Sequence, residues 1–325
     1  MISKTGAGPI PANTARIIHT AQALVDEVVT VDALPTRGGN TVAHSVNFEA
    51  GGSVNVLVAA ARSGARCVQA GSVGTGRHGD LIRATLAAEG VQISSPVIAE
   101  LDTGVCIVLL EPSGERTFVT TQGAERRISV DTLQTSHPRP GDYVCVSGYS
   151  LQGPTCDPLL AWLETLAEGV RVVLDPGSAL AEVDERIIAR ILARTSVWTS
   201  NADEARALTG AAAIQESAPL VARRLRPDAL VIVRDGPLGC VVTVSHHTTV
   251  VPGYPRKPVD TNGAGDAHTG VLVAELTAGM APQKAARRAN AAGAFKVTRH
   301  GPATAPTMAQ IDAFLAAESA AVPGS

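Results

Sequence analysis

The sequence predicts an α/β protein with a mostly parallel central sheet, helices on both faces, and a small extra β-sheet. Three observations predict it. From about residue 143 onward, short apolar runs alternate with amphipathic helical stretches. The runs are apolar at nearly every position, the pattern of strands buried on both faces. Two earlier segments, 40–52 and 104–125, read instead as β-ribbon and do not fit a parallel core.

The elements follow in order. YVCVS (143–147) is a strand, and DPLLAWLETLAEG (157–169) is a helix that stops at Gly169. VRVVLD (170–175) is a strand ending in an acid. ERIIARILAR (185–194) is a helix, and SVWTS (196–200) and ALVIVR (229–234) are strands. The ribbon at 104–125 turns at Pro112, Ser113 and Gly114. Helix formers run from Ala264 to about Ala278. No repeat or linker interrupts this pattern. One domain over 15–318 is therefore expected, with lid-like β segments near 30–50 and 104–123 and flexible termini at 1–14 and 319–325.

Composition narrows the function. The 325 residues are 45% hydrophobic, 18% charged and 3% aromatic, with net charge −3. That charge gives no electrostatic case for nucleic acid or an anionic membrane. No apolar run is long enough to span a bilayer, and the polar, Pro/Gly-broken start resembles no secretory signal. Five scattered cysteines form no CxxC pair, which fits a reducing cytoplasm and buried small hydrophobes.

The stretch VDTNGAGDAH (259–268) concentrates the chemistry. Gly263, Ala264 and Gly265 run straight into Asp266 at the start of a helix. The first N–H groups of a helix lack internal partners, and small residues let an anion approach them. Two readings stand: a turn followed by an acid that favours helix initiation, or an anion hole beside a proton acceptor. The second suits phosphoryl transfer, which asks the protein for positioning and charge stabilisation.

DTNGAGDAHTG resembles the second signature, DTxGAGD, of the PfkB or ribokinase-like carbohydrate kinases. AGGSVNVLVAAARSGARCVQAGSVG (50–74) resembles the first. TSNADEARALTG (199–210) resembles the NxxE motif, VIVRDGPLGCVV (231–242) the nucleotide-binding strand-turn-strand, and NAAGAFKVTRHG (290–301) the helix and loop on the adenine side. The matches occur in the family's order and cover roughly 15–305. The resemblance implies a ribokinase-like three-layer α/β/α sandwich with a β-sheet lid. It also implies transfer of the γ-phosphoryl group of ATP, with Mg²⁺, to a hydroxymethyl group.

Residue by residue, the resemblance makes Asp266 the general base, with Gly263, Ala264 and Gly265 as the anion hole. Gly51, Gly52, Asn55 and Asp26 map onto the acceptor site; a carboxylate and an amide hold a sugar diol well. Asp26 also reads as a strand-end acid and Asn55 as a helix cap. Asn201 and Glu204 map onto the Mg²⁺ and phosphate region, Glu204 acting through water. The same pair reads as a capping box. Arg234, Gly236 and Gly239 would lie along ATP, and Asn290 near the purine. Asp260 would belong to a K⁺ site, with carbonyls around 262 and in the 299–305 loop.

The sequence departs from the family in three places. The first signature is one residue short between Gly52 and Asn55, Ser53 and Val54 stand where ribokinases often carry Lys, and His268 replaces a Phe. His268 reads as either an acceptor ligand or a packed side chain. GTGRHG (74–79) fits GxGxxG, but it is not at the first strand and lacks the downstream acid of a dinucleotide site.

The acceptor is expected to be a monosaccharide such as ribose or fructose. The alternative is a nucleoside such as adenosine, inosine or pseudouridine. In the candidate lid, Phe48 and Phe118 offer little for base stacking. A phosphosugar would need cations, for which Arg37, Arg77 and Arg116 are at hand. A non-catalytic sensor is the third reading, opposed by the intact turn and Asp266. A homodimer paired through the lid is expected, because pairing would cover exposed strand edges.

Overall fold

A computed structural model describes residues 15–301 and 304–321. The termini 1–14 and 322–325, expected to be flexible, lie outside the described residues. The rest of the expected tail is ordered: 319–321 end the helix Met308–Ala321, which Arg256 ties down through Glu318.

Among the described residues, nine strands form the main sheet. Across the sheet they run His247–Pro252, Gly239–Val244, Leu230–Arg234, Thr195–Asn201, Arg171–Asp175, Tyr143–Ser147, Arg16–His19, Arg66–Gln69 and Gln92–Ile93. Pairing is parallel from Leu230–Arg234 to Gln92–Ile93 and antiparallel for the two strands at the other edge. Alternate side chains supply two cores. Ile17, Val173, Val197 and Ile232 face one, with the helices Ser53–Arg62, Ala264–Thr277 and Pro282–Lys296. Ile18, Val172, Trp198 and Val231 face the other, with Cys156–Glu164, Glu185–Arg194 and Ile214–Arg224. Burial on both faces explains why these strands are apolar throughout. The result is the expected three-layer sandwich.

Several boundaries differ from expectation. The helix expected at 157–169 covers Cys156–Glu164 and ends early. Thr165 turns both its N–H and its hydroxyl back onto the carbonyl of Trp162, closing the last turn. Of the ribbon at 40–52, only Ser45–Gly52 is strand. It pairs with Ala23–Thr30, which pairs with Val105–Leu110, which pairs with Arg116–Thr120. This second sheet therefore includes the strand bearing Asp26, which the sequence reading left outside the β appendage. The five cysteines are buried and free.

The helices Ser53–Arg62 and Ala264–Thr277 meet without an intervening side chain. A Cβ on Gly270 would lie 2.4 Å from the carbonyl oxygen of Val56 and 2.7 Å from Ala59 Cβ. Backbone cannot yield as a flexible side chain can, so Gly270→Ala should force the helices apart. We expect a loss of about 1–3 kcal/mol of stability in urea unfolding. Unchanged stability would show that the contact relaxes freely.

Candidate active site

A cleft of ≈ 880 Å³ opens where the parallel strands end. Its wall includes the last residues of five adjacent strands: Arg234, Asn201, Asp175, Ser147 and His19. Polar groups gather there because strand ends leave the apolar layers, the usual ligand crevice of open α/β sheets. The second sheet contributes Asp26, Phe118 and Thr120 to the cleft.

One end of the cleft is the start of the helix Ala264–Thr277. Gly263 is left-handed (φ 73°), and no side chain caps the helix. Ala264 donates its N–H to the carbonyl of Thr261 at 3.2 Å and does not line the cleft. Gly263, Gly265 and Asp266 do line it. The N–H groups of Gly265 and Asp266 belong to the first helical turn, where no backbone acceptor is in register.

Asp266 accepts a hydrogen bond from Asn55 Nδ2 at 3.1 Å, across 211 residues of chain. Asn55 reaches it despite the shortened first signature and does not itself line the cleft. Burial, then the charge of Asp175, raises the Asp266 pKa to about 6; Asn55, Arg234 and Lys296 pull the other way. Asp26 is raised to about 7 by burial, then by Asp266 and by Glu49 opposite it in the sheet. Gly51 leaves room for that carboxylate, since a Cβ there would lie 2.4 Å from Asp26 Oδ2. Gly52 lines the cleft with φ 64°, and a Cβ on it would strike the carbonyl of Gln22.

Asn201 and Glu204 form the capping box: each side chain accepts the other's N–H at 2.8 Å. Both also line the cleft. Arg234 Nη1 donates to Thr199 at 2.9 Å and Thr269 at 3.0 Å, and lies 3.5 Å from Asp175 Oδ2. Its other nitrogen, Nη2, is 4.0 Å from Glu204. Burial, then Asp175, raises the Glu204 pKa. Asp175, Glu204 and Asp266 thus share one cleft with Arg234 among them. No direct cage of three or more His, Cys, Asp or Glu exists among the described residues. Mutually repelling carboxylates without a closed cage fit a hydrated Mg²⁺, which keeps several waters.

Besides Gly51, Asn55 and Ala264, four more expected ligands do not line the cleft. His268 is buried, does not line the cleft, and pairs its Nε2 with Asn290 Oδ1 at 3.1 Å. Burial, then Arg234, lowers its pKa to about 3, so the ring is neutral. Asn290 donates its amide to the carbonyls of Val251 and Pro252, both at 3.1 Å. These two side chains pack against each other and do not line the cleft, the packed alternative for His268. Gly236 and Gly239 shape the turn of an antiparallel pair and also miss the cleft. Gly239 has φ 105°, and a Cβ there would lie 2.2 Å from the Val251 carbonyl oxygen.

Asp260 is enclosed rather than open. Its carboxylate accepts the N–H groups of Asn262 (2.8 Å) and Gly301 (2.9 Å) and pairs with Arg116. Burial pushes its pKa up, but those N–H groups, Lys296 and Arg116 outweigh burial and lower it. Lys296 Nζ donates to the carbonyls of Asp260 (3.2 Å) and Arg299 (3.4 Å). Residues 302 and 303 of the expected cation loop lie outside the described residues. Two of the described oxygens, the carbonyls of Asp260 and Arg299, already face an ammonium and so do not fit an added K⁺.

Other expectations also move. Arg77 stacks on Phe48 and donates to His78, away from the cleft. The cation the sequence reading missed is Arg126, which lines the cleft while bonding the carbonyls of Tyr149 and Gln152. Asp175 was visible as the acid ending its strand. Lys296 gave no signal, because its partners come together only in the fold.

The comparisons agree with this geometry. The model of the pfkB family carbohydrate kinases matches residues 19–308. This chain belongs to that family. The pfkB chain is 30% identical over 307 residues to the uncharacterized sugar kinase YegV of Escherichia coli (strain K12), covering 93% of this chain and 95% of that protein. It is 30% identical over 303 residues to an ATP-dependent ribose-1-phosphate kinase of Halopiger xanaduensis, covering 92% and 98%. It superposes on the fructokinase of Vibrio cholerae O395, solved with fructose, ADP and calcium, with TM-score 0.78 and 26% identity over 93% and 99% of the chains. A carbohydrate kinase is a phosphotransferase, and the open helix start in this pfkB member is suited to that chemistry.

Asn55 should hold the pKa of Asp266 down by stabilising its charged form. In Asn55→Leu, the carboxyl infrared band assigned by difference from Asp266→Asn should titrate above about 6. A midpoint that stays put would mean that the hydrogen bond carries no electrostatic weight.

Proposed function

We propose that this chain transfers the γ-phosphoryl group of ATP to a hydroxymethyl group of a monosaccharide of the ribose or fructose kind. The carrying observation is the Asp266 carboxylate, bonded by Asn55 and set in the cleft beside an uncapped helix start. Asp266 takes the proton of the attacking hydroxyl as the oxygen bonds to phosphorus. The N–H groups of Gly265 and Asp266 stabilise the oxygens of the transferring group, while that of Ala264 is held by the Thr261 carbonyl. Asp26 orients the acceptor through its hydroxyls. Asn201, Glu204 and Arg234 bind on the phosphate side, with Glu204 and Asp175 holding Mg²⁺ through water. When bound, Mg²⁺ neutralises phosphate charge.

The acceptor assignment is supported by the fructose in the Vibrio cholerae structure and by the carboxylates and amides among the cleft residues, which suit a polyol. A nucleoside acceptor is the second reading, favoured by Phe118 and Tyr149, both of which line the cleft and offer ring faces to a base. We take 15–318 as one kinase domain, with the second sheet as a lid that excludes water. That sheet exposes Val46, Phe48, Phe118 and Val119 on its edge strands, which supports pairing of two copies. A monomeric mass by light scattering at micromolar concentration would contradict the dimer. A cytoplasmic location is in keeping with the lack, among the described residues, of a helix long and apolar enough to cross a membrane.

Asp266→Asn should lower the rate of sugar-dependent ADP release by ~10²–10⁴. In wild type the rate should fall as pH drops below about 6, because the base becomes protonated. Stability moves the other way. The folded pKa lies above the ordinary 3.8, so ionising Asp266 costs stability as pH rises through about 6. At pH 8 the variant should therefore be at least as stable as wild type, by Tm. Near wild-type kcat in the variant would contradict the assignment. A panel of monosaccharides, phosphosugars and nucleosides names the acceptor: a nucleoside signal would keep the mechanism and replace the sugar.

A further inference from the structure

Lys296 is a fully buried cation to which the proposed mechanism gives no role. It is 0% exposed, at the end of the helix Pro282–Lys296. Its ammonium donates to the carbonyls of Asp260 and Arg299 and lies 3.7 Å from Asp260 Oδ2. Asp260 in turn holds the N–H of Asn262, the residue before the left-handed Gly263. Arg116, from the second sheet, reaches the same carboxylate and approaches Thr261 Oγ1 at 3.4 Å.

The charges close among themselves. Glu49, also on the second sheet, lies near Gly301 and has a buried Oε2 without a hydrogen-bond partner. Asp260, Arg116 and Glu49 are electrostatic neighbours of Lys296, which also lowers the pKa of Asp266. Two carboxylates therefore face two cations. Among the described residues, the ammonium donates to two carbonyls and pairs with the Asp260 carboxylate, so a fixed cation already balances that carboxylate.

We infer that Lys296 is a built-in monovalent cation: its ammonium holds Asp260 and the 260–263 segment in place, so this kinase works without K⁺. Lys296 is thus a positioning residue, acting on the anion hole through Asp260. The inference rests on the kinase reading for its rate measurement but not for its stability measurement.

The test compares KCl, NH₄Cl and choline chloride at equal ionic strength, reading Tm and sugar-dependent ADP release. Wild type should show the same Tm and rate in all three. Lys296→Ala should lose several degrees of Tm in choline and recover much of the loss in KCl or NH₄Cl, with its rate following. A wild type that gains Tm or several-fold rate from K⁺ would overturn the inference. So would a folded Lys296→Ala that is equally depressed in every salt. Lys296→Met, which keeps the apolar stem, serves if the alanine variant fails to fold, and the wild-type comparison needs no variant. A protein without kinase activity would give no ADP release in any salt, while the Tm series would still decide the role of Lys296.

Discussion

The close approach of two helices at Gly270 sets the geometry on which the site depends. One helix carries Asn55 in its first turn, and the other carries Asp266 in its first turn. Their backbones meet where Gly270 faces Val56 and Ala59, and that contact brings two side chains 211 residues apart to 3.1 Å. A larger residue at the crossing would widen the gap, and a hydrogen bond of this length has little tolerance. The packing of small residues and the position of the proposed base are therefore one constraint.

The cleft concentrates negative charge and offsets it only in part. Asp26, Asp175, Glu204 and Asp266 line it, with Arg234 and Arg126 as its guanidinium groups. Burial and mutual repulsion raise Asp26 and Asp266 toward neutrality. In the proposed function a hydrated divalent cation and hydroxyl ligands would offset that charge, in the manner of sites tuned for acid–base work. The second sheet takes part twice. Asp26 lines the cleft, and Arg116 and Glu49 join the charge cluster around Asp260. Movement of that sheet would be felt at both places.

Sequence made the contiguous parts legible. The turn 263–265 with Asp266, the Gly51 and Gly52 pair, and the Asn201 and Glu204 cap are local patterns with local physical causes. The double-sided burial of 143–147 and 229–234 was equally visible in their unbroken apolar runs. What stayed hidden depends on strand order. Asp175 joins the site because its strand lies between those ending in Asn201 and Ser147. His268, two residues after Asp266, could be read from sequence as a ligand or as a packed side chain. Yet a helix rotates successive residues about its axis, and His268 points to Asn290 on the neighbouring helix. Lys296 was unreadable, because its oxygens come from residue 260 and from a turn three residues on, assembled only by folding.

The most direct test is a crystal structure with ADP, Mg²⁺, aluminium fluoride and the acceptor identified in solution. The fluoride group is expected within hydrogen-bond distance, ~3 Å, of the Gly265 and Asp266 N–H groups, with the acceptor hydroxyl on the Asp266 carboxylate. A phosphoryl mimic bound away from that turn, or an acceptor hydroxyl that leaves Asp266 untouched, would contradict it.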